Sequence, residues 1–230
     1  MTIELDRPAD LDHALAAETN IAVFPRRRRL PLATAVERAI DIVAGIAGMT
    51  VFLATYPLIA LAIKLDSRGP VIFAQRRVGK DGRIFTMYKY RSMSHDGHRP
   101  YETPALEPEH FRTFVFTTPT SRLTRIGRIL RATSLDELPN FWNVLKGDMR
   151  IVGPRPEIPD LVRQYPVEYH RRHAVKPGIT GLAQVNGRAN LTYEQVVRYD
   201  LEYVDTHSLR GDLRILGATI PAVLRRKGAR

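Results

Sequence analysis

The 230-residue chain has no cysteine. That excludes disulfides, zinc-thiolate centres and thiol nucleophiles, and it fits chemistry on a reducing, cytosol-facing side of a cell. The glycine-rich signatures G-x-x-x-x-G-K-[ST], G-x-G-x-x-G and G-x-S-x-G are also missing, so Walker-type nucleotide hydrolysis, dinucleotide redox chemistry and α/β-hydrolase catalysis lack support. Acids are in short supply. The 24 Asp and Glu face 35 Lys and Arg, a formal net charge of +11, which calls for a polyanionic partner: nucleic acid, an acidic membrane surface or a phosphorylated substrate. The opening "MTIELDRPAD" places acids where a signal peptide needs a basic n-region and an apolar core, so it reads as an uncleaved start. Internal repeats are absent, and the length suits one domain with appendages.

Charge vanishes altogether over the 22 residues between Asp41 and Lys64, "IVAGIAGMTVFLATYPLIALAI". As a helix this run is about 33 Å long, enough to cross a bilayer core, and membrane insertion is favoured over a buried soluble helix. Both flanks are basic: Arg26 to Arg29 and Arg38 before it, Lys64, Arg68, Arg76, Arg77 and Lys80 after it. A simple span should show an asymmetry of Lys and Arg. A helix that enters, bends and returns to the same face accounts for the symmetry, and Pro57 supplies the bend by removing a backbone hydrogen bond.

The expected organisation has three parts. Residues 1–35 form a partly ordered tail ending in a basic membrane-surface patch, 36–66 the membrane-inserted helix, and 67–230 a cytosolic catalytic domain. The predicted fold class is α+β and mostly helical. "GPVIFAQRRVGKDGRIFTMYKYRSM" holds two strand-like runs around the turn signal Lys80-Asp81-Gly82, a β-hairpin. Residues 94–120 carry four prolines and read as a long loop. Helices follow at "LTRIGRILRAT", with a basic stripe from Arg122, Arg125, Arg128 and Arg131, at "PNFWNVLKG", at about 159–173 and at about 193–205. Phe141, Trp142 and Leu145 are expected in the core, Tyr199 and Tyr203 in packing, and His170 and His173 on the surface without a metal. The tail "DLRILGATIPAVLRRKGAR" reads as an amphipathic helix with a basic end, suited to the bilayer interface.

The segment "SLDELP" sets Asp136 beside Glu137 in this basic surrounding. Ser134 and Glu137 have the spacing of a capping box. Pro139 argues for a later helix start, at or near Asp136, which leaves both acids at the positive end of the helix. Nearby stand Arg131, Arg155 between two prolines in "GPRP", and Arg188 closing "NGR". An exposed arginine is ordinarily a solvated surface charge. Three of them, with glycine-rich backbone that an anion can approach closely and two carboxylates able to hold a hard cation, outline a diphosphate site with Mg²⁺ as the expected ion.

The motifs "RATSLDELPNFWNVLKGDMRIVGPRPE" and "KPGITGLAQVNGR", with the hairpin and the basic-flanked apolar helix before them, resemble the bacterial sugar transferase family, the monotopic polyprenyl-phosphate phosphoglycosyl transferases. The resemblance runs from about Val36 to Ala222. It implies transfer of a sugar 1-phosphate from a UDP-sugar to undecaprenyl phosphate with release of UMP, the first membrane step of exopolysaccharide, capsule or lipopolysaccharide assembly. It implies Asp136 as nucleophile and Glu137 as its partner in the dyad, with Mg²⁺ expected at Asp136 and Glu137, and Glu137 either holding the metal or accepting a proton. Arg131, Arg155 and Arg188 match the family's phosphate-binding positions. The implied setting is the cytoplasmic face of the bacterial inner membrane, with lipids as partners and no nucleic acid. Three departures stand out. The pair Tyr56-Pro57 replaces the usual Ser-Pro and lies closer to Lys64, Arg150 replaces a small polar residue, and residues 94–120 match no family motif. Two competing readings are a non-enzymatic basic module anchored at the membrane, binding acidic lipids or nucleic acid, and a structural subunit of an assembly complex.

Overall fold

The structure, a computed structural model, describes residues 31–94, 108–115, 120–187 and 190–224. Residues 1–30 of the expected N-terminal tail, which include Arg26 to Arg29, therefore lie outside the described residues, as do Arg188, expected to bind phosphate, and the expected basic end of the last helix. Helix α1, Pro31–Asp66, begins by Pro31, earlier than the expected 36, and continues through Pro57 without a break in helical assignment. Its outer face exposes Val43, Ile46, Leu53, Leu58, Leu61 and Leu65. The inner face rests on the rest of the molecule. Gly45 and Gly48 lie so close to the helix Phe141–Lys146 that a Cβ on them would fall 2.7 Å from Leu145 and 2.3 Å from the Phe141 ring. The small residues of "GIAG" are thus a packing requirement, not a loss of hydrophobic signal.

Strands β1, Ile72–Val78, and β2, Ile84–Tyr90, form the expected antiparallel hairpin, with Phe73 opposite Lys89 and Gln75 opposite Met87. The turn is a short 3₁₀ segment, Lys80–Gly82. Helix α2, Arg125–Thr133, starts at Thr124, whose hydroxyl accepts the Gly127 N–H at 2.9 Å. Of its basic stripe, Arg125 and Arg128 remain exposed while Arg131 turns inward. A 3₁₀ turn, Leu135–Asn140, leads directly into α3, Phe141–Lys146. β3, Arg150–Val152, pairs in parallel with β4, Gly178–Thr180. Helices α4, Pro159–Val162, α5, Leu182–Asn186, α6, Tyr193–Thr206, and α7, Leu209–Leu224, complete the described chain. The predicted mostly helical class holds, with two small sheets.

Several expectations change. The Ser134 capping box does not form: Ser134 sits in the left-handed region, φ 58°, and closes α2 by donating its N–H to the Arg131 carbonyl. The helix expected over 159–173 is split into α4 and a 3₁₀ segment, Val167–Ala174, because Pro166 cannot continue it. Trp142 is 49% exposed; it lies on the side of α3 turned away from the core face that carries Val144. His170 and His173 are buried, their rings packed against Tyr165, and not on the surface. The loop reading of 94–120 also understated its packing. A 3₁₀ segment, Pro108–Arg112, buries Phe111 against Tyr165, Tyr169 and Tyr193. Tyr203 packs as expected, inside the cluster of Met87, Val144, Met149 and Ile215.

Polar ties fix α1 to the domain along much of its length. Arg38 donates to the Val144 and Leu145 carbonyls, both at 2.7 Å, at the negative end of α3. Arg150 reaches Glu37 at 3.3 Å, Asp41 at 3.1 Å and Asp212 at 2.9 Å, so one guanidinium links α1, β3 and α7. At the other end Asp66 accepts the Ile126 N–H at 2.9 Å, and Ile63 and Tyr56 pack around Tyr90 and Leu130.

Candidate active site

The 3₁₀ turn places Asp136 and Glu137 on its first residues, between the end of α2 and the hairpin strand β2. Adjacent residues of such a turn point in different directions, and the two carboxylates have different surroundings. Glu137 is fully engaged. Its Oε1 accepts Lys89 Nζ at 2.6 Å and Arg155 Nη2 at 2.9 Å, and its Oε2 accepts the Asn140 side-chain amide. Burial raises its pKa, but Lys89 and Arg155 outweigh that and hold it well below the usual carboxylate range.

Asp136 is 8% exposed, and its carboxylate accepts no hydrogen bond from the described residues. Burial, and then the charge of Glu137, push its pKa up to about 6, while Lys89, Arg131 and Arg155 restrain the rise. At neutral pH the group is therefore ionised, desolvated and uncommitted. Those are the properties of a nucleophile or of a metal ligand.

Three cations surround the two acids. Arg131 is oriented by Ser92 Oγ, which accepts its Nε–H at 2.9 Å. Arg155, on the turn between Pro154 and Pro156, has its side chain 41% exposed and points one Nη at Glu137. Lys89 is the residue the sequence reading missed. It shares a strand face with Phe85 and Met87, and a lysine there is the signal that was available, since alternation puts that face toward the interior. Burial and the nearby Arg155 bring its pKa down to about 8, with Glu137 and Asp136 opposing.

Of the residues expected at the site, Asp136, Glu137, Arg131 and Arg155 come together here. Arg188 lies outside the described residues. Pro57 belongs to α1 and takes no part. By donor type the acids fit Mg²⁺, a hard ion bound by oxygen. Their engagement differs, however: Asp136 is uncommitted, whereas Glu137 would have to exchange Lys89 or Arg155 for the ion.

Residues 32–226 match the family model for bacterial sugar transferases. The chain belongs to that family. It is 38% identical over 195 residues to the galactosyl transferase CpsE of Streptococcus agalactiae, covering 84% of this chain and 43% of that protein. It is 41% identical over 195 residues to the undecaprenyl-phosphate glucose phosphotransferase of Komagataeibacter xylinus, covering 80% and 35%. A shorter relative, the sugar transferase EpsL of Bacillus subtilis, is 42% identical over 166 residues, covering 72% of this chain and 76% of its own. The chain thus spans less than half the length of the first two of these relatives. The sugar transferase match includes α1, the hairpin and the whole described cluster around Asp136.

Proposed function

We propose that the protein transfers a sugar 1-phosphate from a UDP-sugar to undecaprenyl phosphate, as the initiating membrane step of a surface glycan. The observation that carries this reading is the pairing of a buried Asp136, which accepts no hydrogen bond from the described residues, with a Glu137 locked by Lys89, Arg155 and Asn140, inside a family match that covers most of the chain. An Asp136 oxygen attacks the phosphorus bonded to the sugar, the bond from that phosphorus to the bridging oxygen breaks, and UMP departs with that oxygen. A phosphate oxygen of undecaprenyl phosphate then attacks the same phosphorus. The acyl phosphate bond breaks, Asp136 is regenerated as a carboxylate, and the lipid diphosphate sugar is released.

The surrounding cations have separate tasks in this scheme. Arg155, the most exposed of them, meets the diphosphate; Arg131 and Lys89 offset the charge that builds on the phosphoryl oxygens. Glu137 orients the cations and leaves Asp136 as the attacking group. Asp136 would hold a Mg²⁺ ion, with Glu137 joining only on giving up Lys89 or Arg155, and the ion would supply charge neutralisation. The donor sugar is open, because relatives of comparable identity are named for glucose, galactose and N-acetylgalactosamine transfer.

In this reading α1 is re-entrant, and the domain sits on the cytoplasmic face of the inner membrane. Support comes from the contacts of both its ends: Glu37 and Asp41 bind Arg150 of the domain, and Asp66 binds the start of α2 of the same domain. The apolar outer face, with Leu213 and Ile220 of α7, is available to lipid. Purified protein incubated with UDP-sugars, undecaprenyl phosphate and Mg²⁺ should release UMP, and a quenched reaction without acceptor should leave a phospho-sugar mass on the peptide containing Asp136. Release that survives removal of the Asp136 carboxylate would overturn the assignment. Thiol labelling of single cysteines at positions 28 and 67 should occur from one side only; labelling from opposite sides would rule out re-entry.

A further inference from the structure

Arg172 is the largest fully buried side chain among the described residues, and the transfer chemistry above gives it no part. Burying a guanidinium without partners is costly, so its partners indicate what it is for. Nη1 donates to the Tyr165 hydroxyl at 2.7 Å and to the Tyr193 hydroxyl at 2.8 Å. Nη2 donates to an Asp200 oxygen and to the backbone carbonyl of Arg155 at 2.9 Å. The last partner stands out, since it is the backbone of the residue whose own guanidinium holds Glu137.

The turn around Arg155 is gripped through its carbonyls. Prolines 154 and 156 have no N–H, so the carbonyl is their only backbone handle. Gly178 N–H donates to the Pro154 carbonyl at 2.9 Å, Arg172 to that of Arg155, Arg77 to that of Pro156 at 3.0 Å, and Val78 N–H to that of Glu157 at 2.8 Å. Four consecutive carbonyls are held, and an arginine fork holds each of the middle two. A lysine could not replace Arg172 here, because a single ammonium cannot span Asp200, two hydroxyls and a carbonyl.

We infer that Arg172 is a positioning residue of the site: anchored by Asp200, Tyr165 and Tyr193, it fixes the Arg155 carbonyl and thereby the direction in which the Arg155 guanidinium reaches Glu137. Arg172 touches neither carboxylate of the dyad by a hydrogen bond; it acts through the backbone of Arg155. The inference rests on the transfer reading for its activity readout alone.

The test compares Arg172→Lys, the near-isosteric Asp200→Asn, Arg155→Gln and the double variant Arg155→Gln with Arg172→Lys. Thermal unfolding identifies the variants that fold. For Arg172→Lys and Asp200→Asn, UMP release should fall about 10- to 100-fold in kcat/KM, with a higher donor KM. Their acid limb should move to higher pH, because a displaced Arg155 no longer stabilises the Asp136 and Glu137 anions. In the Arg155→Gln background, Arg172→Lys should cost less than about twofold, since the group it positions is gone. A folded Arg172→Lys or Asp200→Asn with the wild-type pH limb and donor KM would overturn the inference, as would equal losses in both backgrounds. No release by wild type with any donor would count against the transfer reading instead. The link is then read by infrared titration of the Glu137 carboxylate in an Asp136→Asn background: a rise in its pKa on adding Asp200→Asn supports positioning, and an unmoved pKa refutes it.

Discussion

The arginine–carboxylate clusters around Arg150 and around Asp136 are both buried, and they are built in opposite senses. Around Arg150, three acids (Glu37, Asp41 and Asp212) converge on one guanidinium, with His207 beside them. Each side chain there has a partner, and the cluster joins α1, β3 and α7. Around Asp136, two acids face Lys89, Arg131 and Arg155, and one carboxylate accepts no hydrogen bond from the described residues. A saturated cluster with excess acid has nothing to offer a phosphorylated ligand and serves to hold elements together. A cluster with excess cation and one uncommitted anion is incomplete until a polyanion enters. The contrast distinguishes a structural network from a reactive one, although both are buried and both contain arginine and aspartate.

The largest effect should come from Asp136→Asn, which removes the uncommitted anion and keeps its shape. UMP release should fall by about 10³-fold or more, measured as single-turnover release. Stability should rise by on the order of 1 kcal/mol at pH 7, because the variant removes a charge whose burial is unfavourable. The sign follows from the shift. Below the ordinary value of 3.8 both folded and unfolded Asp136 are protonated; between 3.8 and about 6 only the unfolded state is ionised, so stability declines through that window in the wild type and not in the variant. Breaking the other cluster should do the reverse. Arg150→Met leaves three buried acids facing one another and should cost about 3–5 kcal/mol in denaturant unfolding, while kcat per folded molecule stays near wild type. Loss of activity without loss of stability in Arg150→Met would erase the distinction between the clusters.

A smaller effect is expected from Arg155→Gln. It preserves a hydrogen-bond donor toward Glu137 and removes the exposed cation, so kcat/KM for the UDP-sugar should drop about 10²-fold with little change in melting temperature.

The sequence carried the reactive cluster better than the structural one. Asp136, Glu137, Arg131 and Arg155 are within 25 residues of one another, in motifs punctuated by Pro and Gly that restrict the backbone and so mark where it must turn. The hairpin was legible from its β-branched and aromatic runs and its turn residues, and α6 was expected at about 193–205 and spans Tyr193–Thr206. The Arg150 cluster draws its acids from positions 37, 41 and 212, and no local pattern connects residues that far apart. Lys89 was missed although its place on the inward face of β2 marked it; only its partner, 48 positions away, had no local signal. Trp142 and the histidines were misjudged because composition assigns residue types to core or surface on average. In this molecule a Trp lies on the outer side of α3, while His170 and His173 fill space beside Tyr165. Ser134 failed as a cap because the chain takes a left-handed residue there to leave α2, a backbone outside the extended region a capping residue occupies, and its side chain makes no cap hydrogen bond to the next turn.

The finest distinction between the clusters is their response to pH. The reactive one contains two groups shifted into the accessible range: Asp136, raised to about 6, and Lys89, lowered to about 8. Attack requires Asp136 ionised, so kcat/KM should climb as pH rises through about 6. Glu137 requires a cationic Lys89 to stay locked, so kcat/KM should decline as pH passes about 8. Lys89→Arg separates the two limbs: a guanidinium stays charged throughout, so the alkaline decline should move beyond pH 9 while the acid limb stays in place. An alkaline limb unchanged in Lys89→Arg would assign that titration to the substrate or to another residue, and Glu137 would then need only Arg155 and Asn140 to remain committed.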